Sequence, residues 1–276
     1  MRFLIFFLLA FSAFGAAPQR IVSTAPSFTE TLFALGAGPQ VVAVSTYCHY
    51  PAEVNQLPRI GSYLKPNVEA IVRLKPDLLI VHAEQKQTLQ QFAALGIRVL
   101  PVRNNSLEEV FLSIGEMAKA LEIPERGVRL EKSIKTRLAA IEQAAKARPQ
   151  KSLLFVVGRT PGTLDGMVAV GKGSFLNELM RIAGGRNVLS DSPVTYPKIS
   201  LESVIRLHPD IIVDMGDMAE TTGVSEDHKR AVVKLWTDRF GARPVYAVAS
   251  DIFVVPGPRM AEAAEAFARM LQGVER

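Results

Sequence analysis

One pattern occurs twice in this chain and limits what it can fold into. Residues 67–81 read NVEAIVRLKPDLLIV, and residues 200–213 read SLESVIRLHPDIIV. Both follow E-x-x-x-R-L-x-P-D and continue into Leu, Ile and Val. Asn67 and Ser200 suit helix N-caps, because their side-chain oxygens accept from the free amides of a first turn. Glu69 and Glu202 then fall in that turn, where the helix dipole favours negative charge. Pro76 and Pro209 stop each helix, since proline disfavours helical geometry in the residue before it. The apolar run that follows has the length and β-branched content of a buried strand. A helix leading into a buried strand, repeated 133 residues on (202 − 69), predicts two similar lobes.

Residues 1–17 read as a secretory signal peptide. Arg2 is a minimal positive start, residues 3–14 form an apolar run of 12, and Ala13, Gly15, Ala16 and Ala17 are small. The run is shorter than the roughly 20 apolar residues of a membrane-spanning helix, and no other segment approaches that length. No Cys stands at the cleavage site, which argues against a lipid anchor there. An exported, soluble, periplasmic chain of 259 residues (276 − 17) is expected, enough for two domains. Cys48 is the single cysteine, so burial rather than an internal disulfide must supply stability. The net charge of +5 becomes +4 without Arg2 (5 − 1), with both signs mixed along the chain. There is no basic stripe interleaved with aromatics, so nucleic acid is not an expected partner.

Helical and strand patterns alternate through both halves. Strands are expected at 21–24 and 41–45. Between them Ser27-x-x-Glu30 reads as a capping box opening a helix that ends at Gly36 and Gly38. A helix at 85–95 and a strand at 97–102 follow. Ser106-x-x-Glu109 then caps a helix whose Val110, Ile114, Met117 and Leu121 share one face. Residues 125–148 read as one long, half-exposed helix, dividing the mature chain into a first lobe (18–123), a connecting helix (124–150) and a second lobe (151–276). The second lobe replays the first: a strand at 153–157, then Ser174-Phe175 opening a helix that ends at Gly184-Gly185. Tyr196-Pro197 echoes Tyr50-Pro51 at a spacing of 146 (197 − 51), so the first lobe carries 13 extra residues (146 − 133) between Pro51 and Glu69. The second lobe has its own insertion at 217–227. The expected fold is α/β: two similar lobes with parallel-rich central sheets flanked by helices, joined by one long helix, with a ligand cleft between them. One helix crossing between lobes also predicts small lobe rotation on ligand binding.

Ligands of open α/β sheets sit beyond the C-terminal ends of the strands. That selects 25–27, 47–50, 82–84 and 103–105 in the first lobe, and 158–162, Tyr196, 215–216 and 250–253 in the second. Aromatic and amide groups dominate this set. Tyr47, Tyr50, Tyr63 and Tyr196 are candidates for a cleft wall, since a loop tyrosine needs a partner for its hydroxyl and suits an amphipathic ligand. Cys48-His49 lacks a third orienting group, and adjacent residues of an extended segment point apart, so a thiol enzyme is not favoured. Zinc held by Cys48, His49 and His82 is a minority alternative, and no metal site is assigned. Glu69 and Glu202 either complement their own helix dipoles or form two acidic knobs, one per lobe, for a symmetric partner with basic pockets.

Residues 20–81 resemble the first lobe of periplasmic substrate-binding proteins of the cobalamin and iron-siderophore group. The matching segments are RIVSTAPSFTETLFALGAG, VVAVSTYCHYP and IGSYLKPNVEAIVRLKPDLLIV, continued by GGRNVLSD, YPKISLESVIRLHPDIIV and the GPR at 257–259. Y-C-x-Y-P and P-N-x-E-A-I are most similar to the cobalamin-binding branch. The resemblance implies a monomeric, non-enzymatic carrier that holds a corrinoid between its lobes, with no cofactor beyond that ligand. It implies Tyr47, Tyr63, His82, Tyr196 and Asp251 as ligand contacts, and Glu69 and Glu202 as contacts to the permease of an ABC importer. The rival within the class is a haem or ferric-siderophore carrier, in which a Tyr hydroxyl or Arg159 meets iron or carboxylates. A zinc- or thiol-dependent enzyme is the rival outside it.

Overall fold

A computed structural model describes residues 17–216 and 225–273. Apart from Ala17 the expected signal peptide lies outside the described residues, as does most of the 217–227 insertion.

The first lobe contains β1 (Ile21–Ser23), α1 (Pro26–Ala34), β2 (Val41–Val44), α2 (Val68–Arg73), β3 (Leu78–His82), α3 (Lys86–Ala94), β4 (Val99–Val102) and α4 (Leu107–Ala120). Its strands are all parallel, in the order β2-β1-β3-β4. An unbroken helix of 22 residues, α5 (Pro124–Ala145), then crosses to the second lobe. That lobe contains β5 (Lys151–Gly158), β6 (Met167–Ala169), α6 (Phe175–Ile182), β7 (Gly185–Asn187), β8 (Lys198–Ile199), α7 (Leu201–Leu207), β9 (Ile211–Asp214), α8 (Glu226–Phe240), β10 (Val245–Ala247) and α9 (Met260–Gln272). Here β10, β9, β5 and β7 run parallel, while β6 and β8 extend the sheet antiparallel beyond β5. With three and two residues, β6 and β8 are too short to show a period in the sequence.

The repeat is a structural unit. Asn67 accepts from the Ala70 amide and Ser200 from the Ser203 amide, each capping its helix. Residues 68–77 and 201–210 share the same burial at every position, with Ile71 and Val204 turned inward and the glutamates outward. The aspartate of each copy has a role that the sequence did not disclose. Asp77 accepts from the backbone amides of Gln19 and Arg20 at the start of β1. Asp210 accepts from the Ser152 amide and hydroxyl at the start of β5. Each therefore ties its own strand to the neighbouring one.

Alternate residues of the central strands feed opposite faces of each sheet. Val22, Leu79 and Val81 pack with Phe92 on the outer face of the first lobe, and Leu154, Val156 and Ile212 pack with Trp236 on that of the second. The remaining strand residues, Ile21, Leu78 and Ile80 in one lobe and Leu153, Phe155 and Val213 in the other, belong to a single apolar cluster. Ile114 and Met117 of α4, Ile134 and Leu138 of α5, and Phe267 of α9 bridge it. The two lobes share one core.

The expected capping box at Ser27–Glu30 is a correction. α1 begins at Pro26, its N-cap is Ala25, and no side chain caps it. Glu30 is buried and reaches Arg259 of the second lobe, while the Ser27 hydroxyl accepts from Asn104 at 2.7 Å. The spacing fits a cap, but a long-range ion pair outcompetes it. At Ser106 the cap does form, accepting from the Glu109 amide.

Candidate functional site: a cleft between the lobes

The cleft begins where strands end. Beyond β1 and β4 the chain lays Ala25–Ser27 and Asn104–Asn105 along the floor, and the Phe175 amide of α6 donates to the Asn105 carbonyl at 3.1 Å across the lobe boundary. Tyr47, His49, Tyr63, Leu64, His82, Glu84 and Gln85 form the first-lobe wall. Thr195, Tyr196, Asp251 and residues 254–256 form the other. The volume of this open cleft is about 770 Å³, within the usual range for a small-molecule site.

Two loops bring in residues that strands alone would not. Tyr63 and Leu64 stand on a turn closed by the Gly61–Pro66 bridge. Gly61 has a φ of 86°, and a Cβ there would lie 2.7 Å from the Lys65 carbonyl, so the turn requires glycine. Gln85 holds the turn by donating its side-chain amide to the Tyr63 carbonyl. The buried Oε1 of Gln85 has no hydrogen-bond partner among the described residues. Across the cleft, Gly171 donates its amide to the Thr195 carbonyl at 2.8 Å. A Cβ at Gly171 would sit 2.2 Å from the Val194 carbonyl, so this approach also needs glycine. It seats Thr195 and Tyr196 on the wall.

The His82 ring lies between Phe28 (centroids 4.6 Å apart) and Tyr63 (5.7 Å). Burial lowers its pKa, and the nearby Glu84 carboxylate only partly counters this, so the imidazole is neutral at neutral pH. Tyr196 keeps 43% of its surface exposed, but its hydroxyl is tucked against Ser174. Burial raises that phenol's pKa, and the Ser174 contact works the other way. Among the described lining residues the ionisable groups are two carboxylates, Glu84 and Asp251, with the imidazoles of His49 and His82 and the tyrosine phenols. None is Lys or Arg.

Of the candidates from sequence, Tyr47, Tyr63, His82, Tyr196 and Asp251 come together here. Two do not. Tyr50 turns away and lays its ring over the Arg259 guanidinium, 4.0 Å from the centroid. Arg159, at the end of β5, is buried beneath α8, where its Nε donates to Asp214 at 2.9 Å and Nη1 to the Thr163 carbonyl at 2.9 Å. Trp236 also donates to Asp214, completing a structural cluster rather than a ligand contact. The strand-end rule also selected Ser27, Asn104 and Asn105, which line the cleft. No sequence signal pointed to Phe175 or Thr195.

Cys48 and His49 diverge as adjacent extended residues do. His49 lines the cleft, while Cys48 is buried with its Sγ 3.2 Å from both the Thr29 and Ser45 hydroxyls. Burial raises the pKa of the thiol. The zinc set Cys48, His49 and His82 is therefore corrected, because its sulfur points into the core. Among the described residues no three of His, Cys, Asp and Glu converge as a metal site would require. Glu69 and Glu202 stand exposed on the first turns of α2 and α7. Glu69 pairs with Arg73 one turn on, and Glu202 is held below the usual carboxylate range by Ser200 and by its own amide.

A family model described as periplasmic binding protein matches residues 21–234. The vitamin B12-binding protein of Photorhabdus laumondii is 28% identical over 271 residues, 97% of this chain and 94% of its own. Among solved structures, the periplasmic vitamin B12-binding protein BtuF of Vibrio cholerae aligns with a TM-score of 0.75 at 25% identity, over 94% of this chain and 98% of that one. The periplasmic heme-binding protein RhuT of Roseiflexus aligns with a TM-score of 0.77 at 28% identity, over 92% and 99%.

Proposed function

The chain belongs to the periplasmic binding protein family, and from that premise we propose that it captures a corrinoid, cobalamin, in the cleft and delivers it to an ABC importer. The observation that carries this reading is the composition of the cleft. It offers aromatic rings from Tyr47, Tyr63, His82 and Tyr196, an acceptor at Asp251, and, among the described lining residues, no Lys or Arg. A corrinoid presents a broad apolar macrocycle fringed with neutral amides, and this wall matches both. The vitamin B12-binding relatives support the choice. Haem carries two carboxylates that such a wall does not balance, and Arg159 is committed to Asp214.

Export by residues 1–17, action as a monomer and transport without chemistry complete the proposal. Among the described residues no helix is long and apolar enough to cross a membrane. Glu69 and Glu202 would meet the permease, one from each lobe.

Haem is the second reading, favoured by the Tyr63–His82 pair, since both side-chain types ligate haem iron. Parallel titration of the purified mature protein with cyanocobalamin, haemin and a ferric siderophore decides between them. Stoichiometric cobalamin binding is expected. Tight haemin binding with no response to cobalamin would overturn the corrinoid assignment.

A further inference from the structure

Beside the cleft, three charged side chains join the lobes. Glu30 lies on α1 of the first lobe and Arg259 immediately precedes α9 in the second. They meet in a two-pronged pair, with Arg259 Nε donating to Glu30 Oε2 at 2.9 Å and Nη2 to Oε1. The same Nη2 lies 2.8 Å from Asp251 Oδ2, and Asp251 lines the cleft. Side-chain exposure rises along this chain of contacts, from 2% at Glu30 through 13% at Arg259 to 23% at Asp251. The Tyr50 ring covers the guanidinium from the first-lobe side. Two carboxylates on one guanidinium leave one net negative charge, and Glu262 on α9 adds to it from nearby.

We propose that Arg259 is a positioning residue that fixes Asp251 as an acceptor on the cleft wall, and that the Glu30–Arg259–Asp251 cluster makes the cleft select amide-bearing ligands over carboxylate-bearing ones. This rests on the cleft being the ligand site and names the group it discriminates. An amide and a carboxylate have nearly the same shape, so packing does not separate them. A fixed anionic acceptor does: the amide donates an N–H to it, whereas a carboxylate brings a second negative charge against it. Arg259 suits this role because a planar guanidinium can bond two acids at once, which an ammonium holds less well.

The test uses two ligand pairs: cyanocobalamin with its separated monocarboxylic derivatives, and haemin with its bis-amide. In whichever macrocycle binds, the wild type should favour the amide member, by about tenfold or more over at least one acid isomer of the corrin pair, as expected where a fixed acceptor reads an N–H. Asp251→Asn should bring the preference down to within about threefold. Glu30→Gln removes a charge that never meets ligand, so a several-fold loss of preference there would not follow from a merely structural role. Arg259→Lys should weaken binding of the amide member while leaving Glu30 compensated. Melting temperatures of the same variants report folding, and if Glu30→Gln does not fold, Asp251→Asn at the exposed end carries the test. Equal affinity for amide and acid forms in the wild type, or an unchanged preference in the folded variants, overturns the proposal. If only the porphyrin pair binds, the corrinoid reading fails, and the amide preference within that pair decides this one. Binding of neither pair overturns both.

Discussion

Lys75 and His208, 133 residues apart (208 − 75), adopt the same left-handed backbone conformation, with φ of 46° and 45°. Each follows the last turn of its repeated helix, where the chain must swing into Pro and Asp. An L-residue there loses about 1–2 kcal/mol. Glycine removes that strain but loses roughly 0.5–1 kcal/mol through its freer unfolded chain. Lys75→Gly should therefore gain about 0.5–1 kcal/mol, and His208→Gly less, because His208 Nε2 also contacts Arg243 at 3.0 Å. Urea midpoints at unchanged slope check this, and two destabilised variants would refute it.

His82 gives the protein an acid-sensitive element. In the unfolded chain its imidazole titrates near 6.5, while in the folded chain burial holds it lower. Below about pH 6.5 the unfolded state binds a proton that the folded state refuses. The stability linked to His82 is thus complete above that pH and is lost as pH falls through the folded value. Denaturation at pH 7.5 and 5.5 should show a larger loss for the wild type than for His82→Gln. Equal losses would mean that His82 is not the group responsible.

Tyr63 and Tyr196 stand on opposite walls. Truncating a buried contact aromatic typically costs about 2 kcal/mol or more, over tenfold in affinity. Tyr63→Ala and Tyr196→Ala should each show such a loss for cobalamin in isothermal titration. Unchanged affinity in both would remove the corrinoid from this cleft.

Glu69 and Glu202 separate two roles. A residue that only complements a helix dipole contributes about 0.3–1 kcal/mol to stability and nothing to transport. A docking acid leaves ligand affinity and melting nearly intact but weakens the importer complex. Ligand titration and melting of Glu69→Ala and Glu202→Ala should be close to wild type. The double variant should abolish uptake by vesicles carrying the importer; normal uptake would reduce both residues to helix caps.

Much of this was legible in the chain where forces are local. Asn67 and Ser200 cap as expected, proline ends both helices, and α5 continues past Gly127 with no further Gly or Pro to break it. Strand ends also located most of the cleft. What failed was long-range. Glu30 has the spacing of a capping box, but its partner lies 229 residues away. Arg159 sits at a strand end like the true lining residues, yet Asp214 and Trp236 draw it under α8. Tyr50 follows the same loop logic as Tyr47 and differs only in finding Arg259 within reach.

The connecting helix and the core beneath it limit motion. Ile134 and Leu138 of α5 pack into apolar contacts continuous with both sheets, so hinge opening would expose buried surface. Solution scattering with and without ligand should show lobe rotation of only a few degrees, as one continuous helix implies. A marked compaction on binding would contradict this.

That common core also sets how the molecule comes apart. Phe155 of one sheet and Ile80 of the other belong to the same buried cluster, so neither half holds a complete interior of its own. Heating should produce a single calorimetric transition, with van't Hoff and measured enthalpies in agreement, instead of two successive meltings. A fragment ending before α5 would be left with an unroofed apolar face and would aggregate rather than fold. The duplication visible in the sequence thus no longer divides the protein: the copies have become mutually obligate, and what looks like a pair melts as one.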